Sequence, residues 1–226
     1  MTSVFPSLER ARAVQQKFLR FGCAQLHDAA PEHSIVLELP IVARTPQNRV
    51  AGPVFPVSTH NDMLPCLLGL AEAPPGSVLF LHNSADEPLA VAGDIYVISA
   101  RQQGLGGLIV DGAVRDVDFL QDLDFPVFSR SVTYVAAKQT DQRPPELPCA
   151  VQLGDVLLEP GDWIFGDSDG LLLIKRKNLG AVFNGAILVS QREEKLKAGI
   201  LAGSTLAELS GLREFVSGEG QLRFTR

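Results

Sequence analysis

The chain has 226 residues, 46% hydrophobic and 20% charged, proportions that exclude wholesale disorder and suffice for one large domain or two small ones. The formal net charge is -6, and no run of Lys and Arg is long enough to hold a phosphate backbone, so nucleic-acid binding is disfavoured.

Leu8, Ala11, Val14, Phe18 and Leu19 recur at helical spacing, which predicts an amphipathic helix over Ser7 to Phe21 stopped by Gly22. A second short helix is expected over Ala24 to Ala30, then a strand over Ser34 to Val42. Val50 to Thr59 reads as an interrupted strand at best, because Pro53 and Pro56 break it. Asp62 to Ala73 reads as a helix ended by Pro74-Pro75-Gly76, and Ser77 to Leu81 as a strand. A helix over Gly93 to Gln103, a short buried strand over Leu108 to Val110, a helix over Asp116 to Leu123 and a strand over Pro126 to Ser129 follow.

Arg143 to Pro148 reads as a loop. The strands Val151 to Leu153, Val156 to Leu158, Trp163 to Gly166 and Leu171 to Ile174, separated by turn residues, predict a β-meander. A long helix over Asn178 to Ala198 and a shorter one over Ser204 to Leu209 close the chain. The fold class expected is α/β, with central mixed β-structure flanked by helices. The organisation expected is a helical segment over 1–22, one main domain over 23–211 and a tail over 212–226.

Cys23, Cys66 and Cys149 are odd in number and widely spaced, which indicates neither a zinc site nor a disulfide framework and fits a reducing, cytoplasmic setting. Met1 to Arg12 lacks the apolar core of a secretory leader, and no apolar run approaches the ~20 residues that span a bilayer, so no membrane partner is expected.

The block that carries chemistry runs Gly93-Asp94-Ile95, then Gly104-Leu105-Gly106-Gly107-Leu108-Ile109-Val110-Asp111-Gly112-Ala113-Val114-Arg115-Asp116. Asp111-Gly112 reads as a turn at the carboxyl end of a buried strand, after which Arg115-Asp116 opens a helix, a place where ligands of α/β sheets bind. Arg115 offers two donors to a carboxylate or enolate oxygen, and Asp116 offers a hard oxygen to Mg²⁺ or Mn²⁺. Asp94 falls at a helix start, where it would cap the chain, and the amides of Ile95 and Tyr96 suit an anion. The plain alternative for Arg115 and Asp116 is a surface ion pair with a cap, worth ~0–1 kcal/mol.

The glycines from Gly104 to Gly107 lie between a helix and a strand, the reverse of the dinucleotide fingerprint, and read as a helix stop and tight turn. Asp167-Ser168-Asp169-Gly170 resembles the start of a calcium loop but lacks its downstream Glu, and reads as a hairpin turn. His27, His33, His60 and His82 show no ligand spacing, and no GxSxG elbow is present.

Gly93-Asp94, the run from Gly106 to Asp116 and Phe125-Pro126-Val127-Phe128 resemble the family that contains 4-hydroxy-4-methyl-2-oxoglutarate aldolase and the regulator of ribonuclease E activity A (RraA). Leu26-His27-Asp28-Ala29, Gly161-Asp162, Gly166 to Gly170 and Gln191 to Ala198 extend the resemblance over roughly Cys23 to Gly211. It implies an RraA-like swivelling β/β/α domain, assembled as a homotrimer or homohexamer with its site between subunits.

By that resemblance, Arg115 binds pyruvate and stabilises its enolate, Asp116 ligates the divalent metal cation and Asp94 holds a metal-bound water. The backbone after Gly93, at Ile95 and Tyr96, binds the substrate carboxylate. Glu193 or Glu194 of a neighbouring subunit completes the proton relay. The implied activity is class II cleavage of 4-hydroxy-4-methyl-2-oxoglutarate, or a related small 2-keto acid, to pyruvate, with oxaloacetate decarboxylation. The alternative is a non-catalytic regulator that inhibits a ribonuclease E-type partner. The regulator branch often lacks the acid after the arginine, and Asp116 keeps it. Aldolase members commonly carry an acid three residues further on, where this chain has Phe119 with Asp118 one place earlier. A phosphohistidine carrier of similar architecture ranks last, since no histidine here has that family's surroundings.

Overall fold

The computed structural model of the chain describes residues 4–139, 143 and 145–222. The Ser7 hydroxyl accepts from the Arg10 amide and caps α1 (Leu8–Phe18). Then come α2 (Cys23–Ala29), a 3-10 turn over Pro31–His33, β1 (Ser34–Leu37), β2 (Val42–Ala43) and β3 (Val50–Thr59). The Asp62 carboxylate caps α3 (Met63–Glu72), followed by β4 (Val78–Asn83) and β5 (Ala90–Ala92). Next are α4 (Asp94–Gln102), β6 (Gly107–Val114), α5 (Val117–Leu120) and β7 (Val127–Val132). The last third holds β8 (Val151–Leu153), β9 (Val156–Leu158), β10 (Trp163–Asp167), β11 (Gly170–Ile174), α6 (Leu179–Leu201), α7 (Leu206–Ser210) and α8 (Leu212–Val216).

The main sheet runs β1-β11-β10-β3-β4-β6-β7-β2, with β5 attached to β6. Strands β3, β4, β6 and β7 run parallel to one another, whereas β1, β11, β10 and the first half of β3 pair antiparallel, as does β2 with β7. The sheet must curl. Eight strands laid flat would span ~34 Å from first to last, at ~4.8 Å per step, yet the short link from Leu37 to Val42 reaches at most ~18 Å.

Alternation along each strand then separates an inside from an outside. Val78, Phe80, Ile109, Phe128, Ile164 and Leu173 fill the inside of the curl with Val151, Leu153 and Leu158 of the β8–β9 hairpin. Leu79, Leu81, Leu108, Val110 and Val127 face outward against α3 and α4, and Trp163, Phe165, Leu172 and Ile174 face α1, α2 and α6. Such buried side chains contribute roughly 1.5–3 kcal/mol each to folding before chain entropy is counted.

Several sequence expectations need correction. Val50–Thr59 is one continuous strand despite its prolines. Pairing with β10 ends at Pro53 and pairing with β4 begins at Val54, so each proline falls where one edge of β3 lacks a strand partner. Ser34 to Val42 is two strands at opposite ends of the sheet path, parted by Leu39 and Pro40. Asp111 and Gly112 form no turn; they lie inside β6, where Asp111 is buried by partners on the two neighbouring strands. The expected helix over Asp116 to Leu123 is the single turn α5. The four-strand meander is two separate hairpins, because β9 pairs only with β8 while β10 turns to β3. Two short strands, β2 and β5, and the helix α8 were not anticipated. Arg143 lies outside regular structure, and part of the expected loop falls outside the described residues.

Candidate active site

Strand β5 pairs with the end of β6, and the Arg115 amide donates to the Ala92 carbonyl at 3.0 Å. That bond sets Arg115-Asp116 beside Gly93-Asp94, so the two halves of the sequence motif converge. Arg115 Nε lies 3.1 Å from Asp116 Oδ2, and the two side chains are 42% and 32% exposed. Asp116 is held in the left-handed region at φ 60°, ψ 33°, where Asp is among the few non-glycine residues tolerated. Its carbonyl accepts from the amides of Phe119 and Leu120, which fixes the backbone, while its carboxylate makes no capping bond.

Gly93 is the floor of this corner. A β-carbon there would lie 3.0 Å from Arg115 Cγ and 3.2 Å from Arg115 Nε, and would overlap Asp116 Oδ2. Only glycine lets both side chains settle on the backbone. Gly93, not Asp94, is the N-cap of α4, and the first intrahelical bond runs from the Val97 amide to the Gly93 carbonyl at 3.0 Å. The Asp94 side chain instead turns back to accept from the Ile95 amide at 2.7 Å. The Ile95 amide is therefore already engaged, whereas the Tyr96 amide lies in the first helical turn, where no intrahelical partner exists. The Tyr96 hydroxyl points away into the core and donates to the Cys66 carbonyl at 2.6 Å; burial raises its pKa well above the usual range.

From Gly93 and Arg115 a cavity of about 340 Å³ runs between α3 and α4, walled by Met63, Leu67, Leu70, Val91 and Ala137. Glu193 and Glu194 are not among its lining residues. They lie on α6, where Glu193 accepts from Gln25 Nε2 at 2.7 Å and sits 3.6 Å from Lys197 Nζ, and Glu194 sits 3.4 Å from the same ammonium.

Among the described residues no group of three His, Cys, Asp or Glu side chains is placed to hold a metal ion. A closed protein cage is therefore not what this corner offers. One half-open carboxylate, Asp116, seated against the bare backbone of Gly93, the residue before Asp94, fits the way Mg²⁺ is usually held: by one or two carboxylates, with water and substrate oxygens for the rest.

Sequence reasoning missed a second polar cluster. His82 Nδ1 donates to Asp111 Oδ2 at 2.7 Å, and Arg130 donates to Asp111 Oδ1 through Nε at 2.8 Å and through a second guanidinium N–H. Burial alone pushes the Asp111 carboxyl up, but the bonds from His82 and Arg130 outweigh it and hold the group below its usual range. These residues come from adjacent strands β4, β6 and β7, and His82 and Asp111 are register partners. The available signal was that His82 and Asp111 each follow an uninterrupted apolar run, Val78 to Leu81 and Leu108 to Val110; Arg130, after Ser129, gave none. The cysteines are free; burial pushes the Cys66 thiol up to about 12, and burial with Asp167 nearby raises Cys23. No helix among the described residues is long and apolar enough to cross a membrane.

The chain is 36% identical over 130 residues to a protein of Halalkalibacterium halodurans named "Putative 4-hydroxy-4-methyl-2-oxoglutarate aldolase", an alignment covering 57% of this chain and 61% of that protein. The chain thus spans about three fifths of that relative's length. Among solved structures, the RNA-processing inhibitor RraA from Thermus thermophilis superposes with a TM-score of 0.62 at 25% identity, over 68% of this chain and 92% of that one. A Streptomyces coelicolor member of the RNase ES inhibitor RraA family superposes with a TM-score of 0.70 at 24% identity, over 82% of this chain and 96% of that one, and shares the fold. Residues 23–173, well over half of the sequence, match the profile described as Aldolase/RraA, and the chain belongs to the RraA-like family.

Proposed function

We propose that the chain is a divalent-metal-dependent aldolase that cleaves 4-hydroxy-4-methyl-2-oxoglutarate, or a related 4-hydroxy-2-keto acid, to pyruvate, and that it also decarboxylates oxaloacetate. The observation that carries this reading is the convergence of Arg115 and Asp116 on the backbone of Gly93, at the edge of an open cavity.

Asp116 would hold Mg²⁺ or Mn²⁺, with Asp94 binding its water. When bound, the cation acts as a Lewis acid that polarises the keto group. The chain's own groups do the rest. The Tyr96 amide in the first turn of α4 and the Arg115 guanidinium orient the substrate carboxylate and keto oxygen. Asp94, through a water, takes the proton of the C4 hydroxyl. The C3–C4 bond breaks, C4 leaves as a carbonyl compound, and the electron pair remains on the pyruvate half as an enolate. Arg115 donates to that oxygen as charge gathers on it, an interaction strongest in the transition state. The proton then returns to C3. In oxaloacetate, CO₂ leaves in place of the carbonyl fragment and the same enolate results.

Glu193 or Glu194 would enter the relay from a neighbouring copy in a homotrimer or homohexamer. Ile95, 76% exposed, with Leu67 and Ile98 about half exposed, supplies an apolar rim that a second copy would cover.

Purified chain incubated with oxaloacetate and Mg²⁺ should release pyruvate, EDTA should abolish the release, and excess Mg²⁺ should restore it. Release at the uncatalysed rate under all three conditions would remove the enzyme reading. It would leave the second one, a regulator binding a ribonuclease E-type partner, which the likeness to an RNA-processing inhibitor favours.

A further inference from the structure

Helix α6 is seated on the body of the chain only along its first part. Its fully buried residues, Val182 and Ala186, lie in its first half, and Gln25 of α2 still holds it at Glu193. Beyond Leu196 it packs on α7, whose Leu209 lies so close that a β-carbon at Gly199 would sit 2.9 Å from it, and α7 packs in turn on α8. We infer that this helical arm, from Leu196 onward, docks on the same arm of a second copy around a two-fold axis, so that the assembly holds an even number of chains. The arm lies beyond residues 23–173, which match the family profile. It shares no residue with the cavity at Arg115 or with the apolar rim at Leu67, Ile95 and Ile98, so the contact is independent of the aldolase reading.

The arm is built inside out. Its inner seam is narrow, formed by Leu209 against Gly199 with Ser210 and Gly211 buried at the turn into α8. The large apolar side chains face outward instead: Leu201 is 88% and Val216 76% exposed, and Ile200, Leu206, Leu212 and Phe215 are each about half exposed. Helices α7 and α8 have five residues each, far below the ~12–15 at which an isolated helix holds in water, so the arm needs outside support. A contiguous apolar surface of this kind marks an interaction site.

Charge and number identify the occupant. Between Leu196 and Leu222 stand two cations, Lys197 and Arg213, and three anions, Glu208, Glu214 and Glu219. That near-balance offers nothing to a nucleic acid or a strongly charged protein, and it does not repel its own copy even though the whole chain carries -6. The patch is present on every chain, so its cover must be available in equal number, as a second copy is. A two-fold contact needs only one self-complementary patch, and the outward side chains of two arms then close a core that one arm cannot form.

Light scattering on the full chain and on a double variant, Leu201→Glu with Val216→Glu, gives the test. Both positions are exposed in the single chain, so helix content by circular dichroism should not change. The parent should hold an even number of chains and the double variant half that number. Losing the burial of two such side chains weakens the pairing by about 10²- to 10⁴-fold. Phe215→Glu, also at an exposed position, repeats the measurement should the double variant fail to fold. Leu157→Glu, at an exposed apolar position on the β8–β9 hairpin, should leave the mass as it is. A parent of one or three chains overturns the inference, and so does a double variant of unchanged mass. A double variant that falls below half overturns it too, because the arm would then hold a ring together rather than pair two copies, as does a halving by Leu157→Glu.

Discussion

Gly93→Ala isolates the site from the fold. Gly93 has φ -147° and ψ -164°, extended backbone that alanine adopts without strain, so the effect is steric. The new methyl would sit 3.0 Å from Arg115 Cγ and 3.2 Å from Arg115 Nε, with Asp116 Oδ2 nearer still. Non-bonded atoms settle near 3.5 Å, so the carboxylate must withdraw by about 1 Å. The Asp116 backbone cannot follow, because its carbonyl holds the amides of Phe119 and Leu120, so the side chain must rotate and its 3.1 Å contact with Arg115 opens. On the proposed role of this corner in positioning substrate, a shift of that size costs on the order of 10²-fold in rate. The half-open ion pair itself contributes about 0–1 kcal/mol to folding, which limits the shift in Tm to roughly 2–4 °C. Oxaloacetate decarboxylation followed by a coupled pyruvate assay, with Tm measured on the same samples, separates the two effects. We expect kcat/KM to fall about 10²-fold while Tm barely moves. Activity within threefold of the parent would refute the reasoning, and so would a loss of activity that merely tracks a collapse in Tm.

Three further outcomes follow from the same geometry. Arg115→Lys keeps the charge but not the planar pair of donors, and should lower kcat for oxaloacetate by ~10²-fold with little change in Tm. Asp111→Asn removes the charge that His82 and Arg130 share and should cost about 2–3 kcal/mol in urea unfolding at pH 7, less than a fully enclosed pair because Arg130 is partly exposed. The Asp111 carboxyl is held below its unfolded value of 3.8, so its contribution is complete above that pH and fades as pH falls through the lowered native value. The gap between parent and Asp111→Asn should therefore close on acidification below about pH 4. Gly185→Ala would bring a methyl within 2.6 Å of the Ala29 carbonyl oxygen, forcing α6 off α2; a loss of ~1–3 kcal/mol in the same unfolding assay is expected.

The central block was legible because its residue types are costly anywhere else. An Arg-Asp pair that follows an otherwise apolar stretch broken only by Asp111-Gly112 stands out from its surroundings, and its likeness to a known family suggested a chemistry to test. What stayed hidden depended on contacts between distant segments. Pro53 and Pro56 suggested an interrupted strand, and no local pattern shows that β3 runs on unbroken by changing partners between Pro53 and Val54. Asp111-Gly112 has the composition of a turn, and only the arrival of His82 and Arg130 from neighbouring strands makes Asp111 a strand residue. Asp94 has the right identity for a cap, yet the approach of Asp116 and Arg115 demands a glycine before it, and that glycine takes the cap position. The split of Ser34 to Val42 is likewise a consequence of sheet closure.

These late contacts also explain why the site belongs at this end of β6. A guanidinium and a carboxylate that must hold one geometry need a support that does not yield, and half-exposed side chains cannot supply it themselves. Strand β6 is buried along its whole length. Four residues before Arg115, Asp111 ties it to β4 through His82 and to β7 through Arg130. At its end, the bond from the Arg115 amide to Ala92 ties it to β5, and β5 leads directly through Gly93 into the amino end of α4. The anion-favouring helix end and the two charged side chains are thus attached to one rigid strand from two directions. A buried charge network is weak evidence for net stability, because its desolvation offsets much of its attraction. Its placement four residues along the strand from the proposed reacting corner makes better sense as registration. Asp111→Asn should then lower kcat for oxaloacetate by more than the fraction of unfolded chain accounts for, and a kcat unchanged in fully folded protein would show that β6 holds its end without that help.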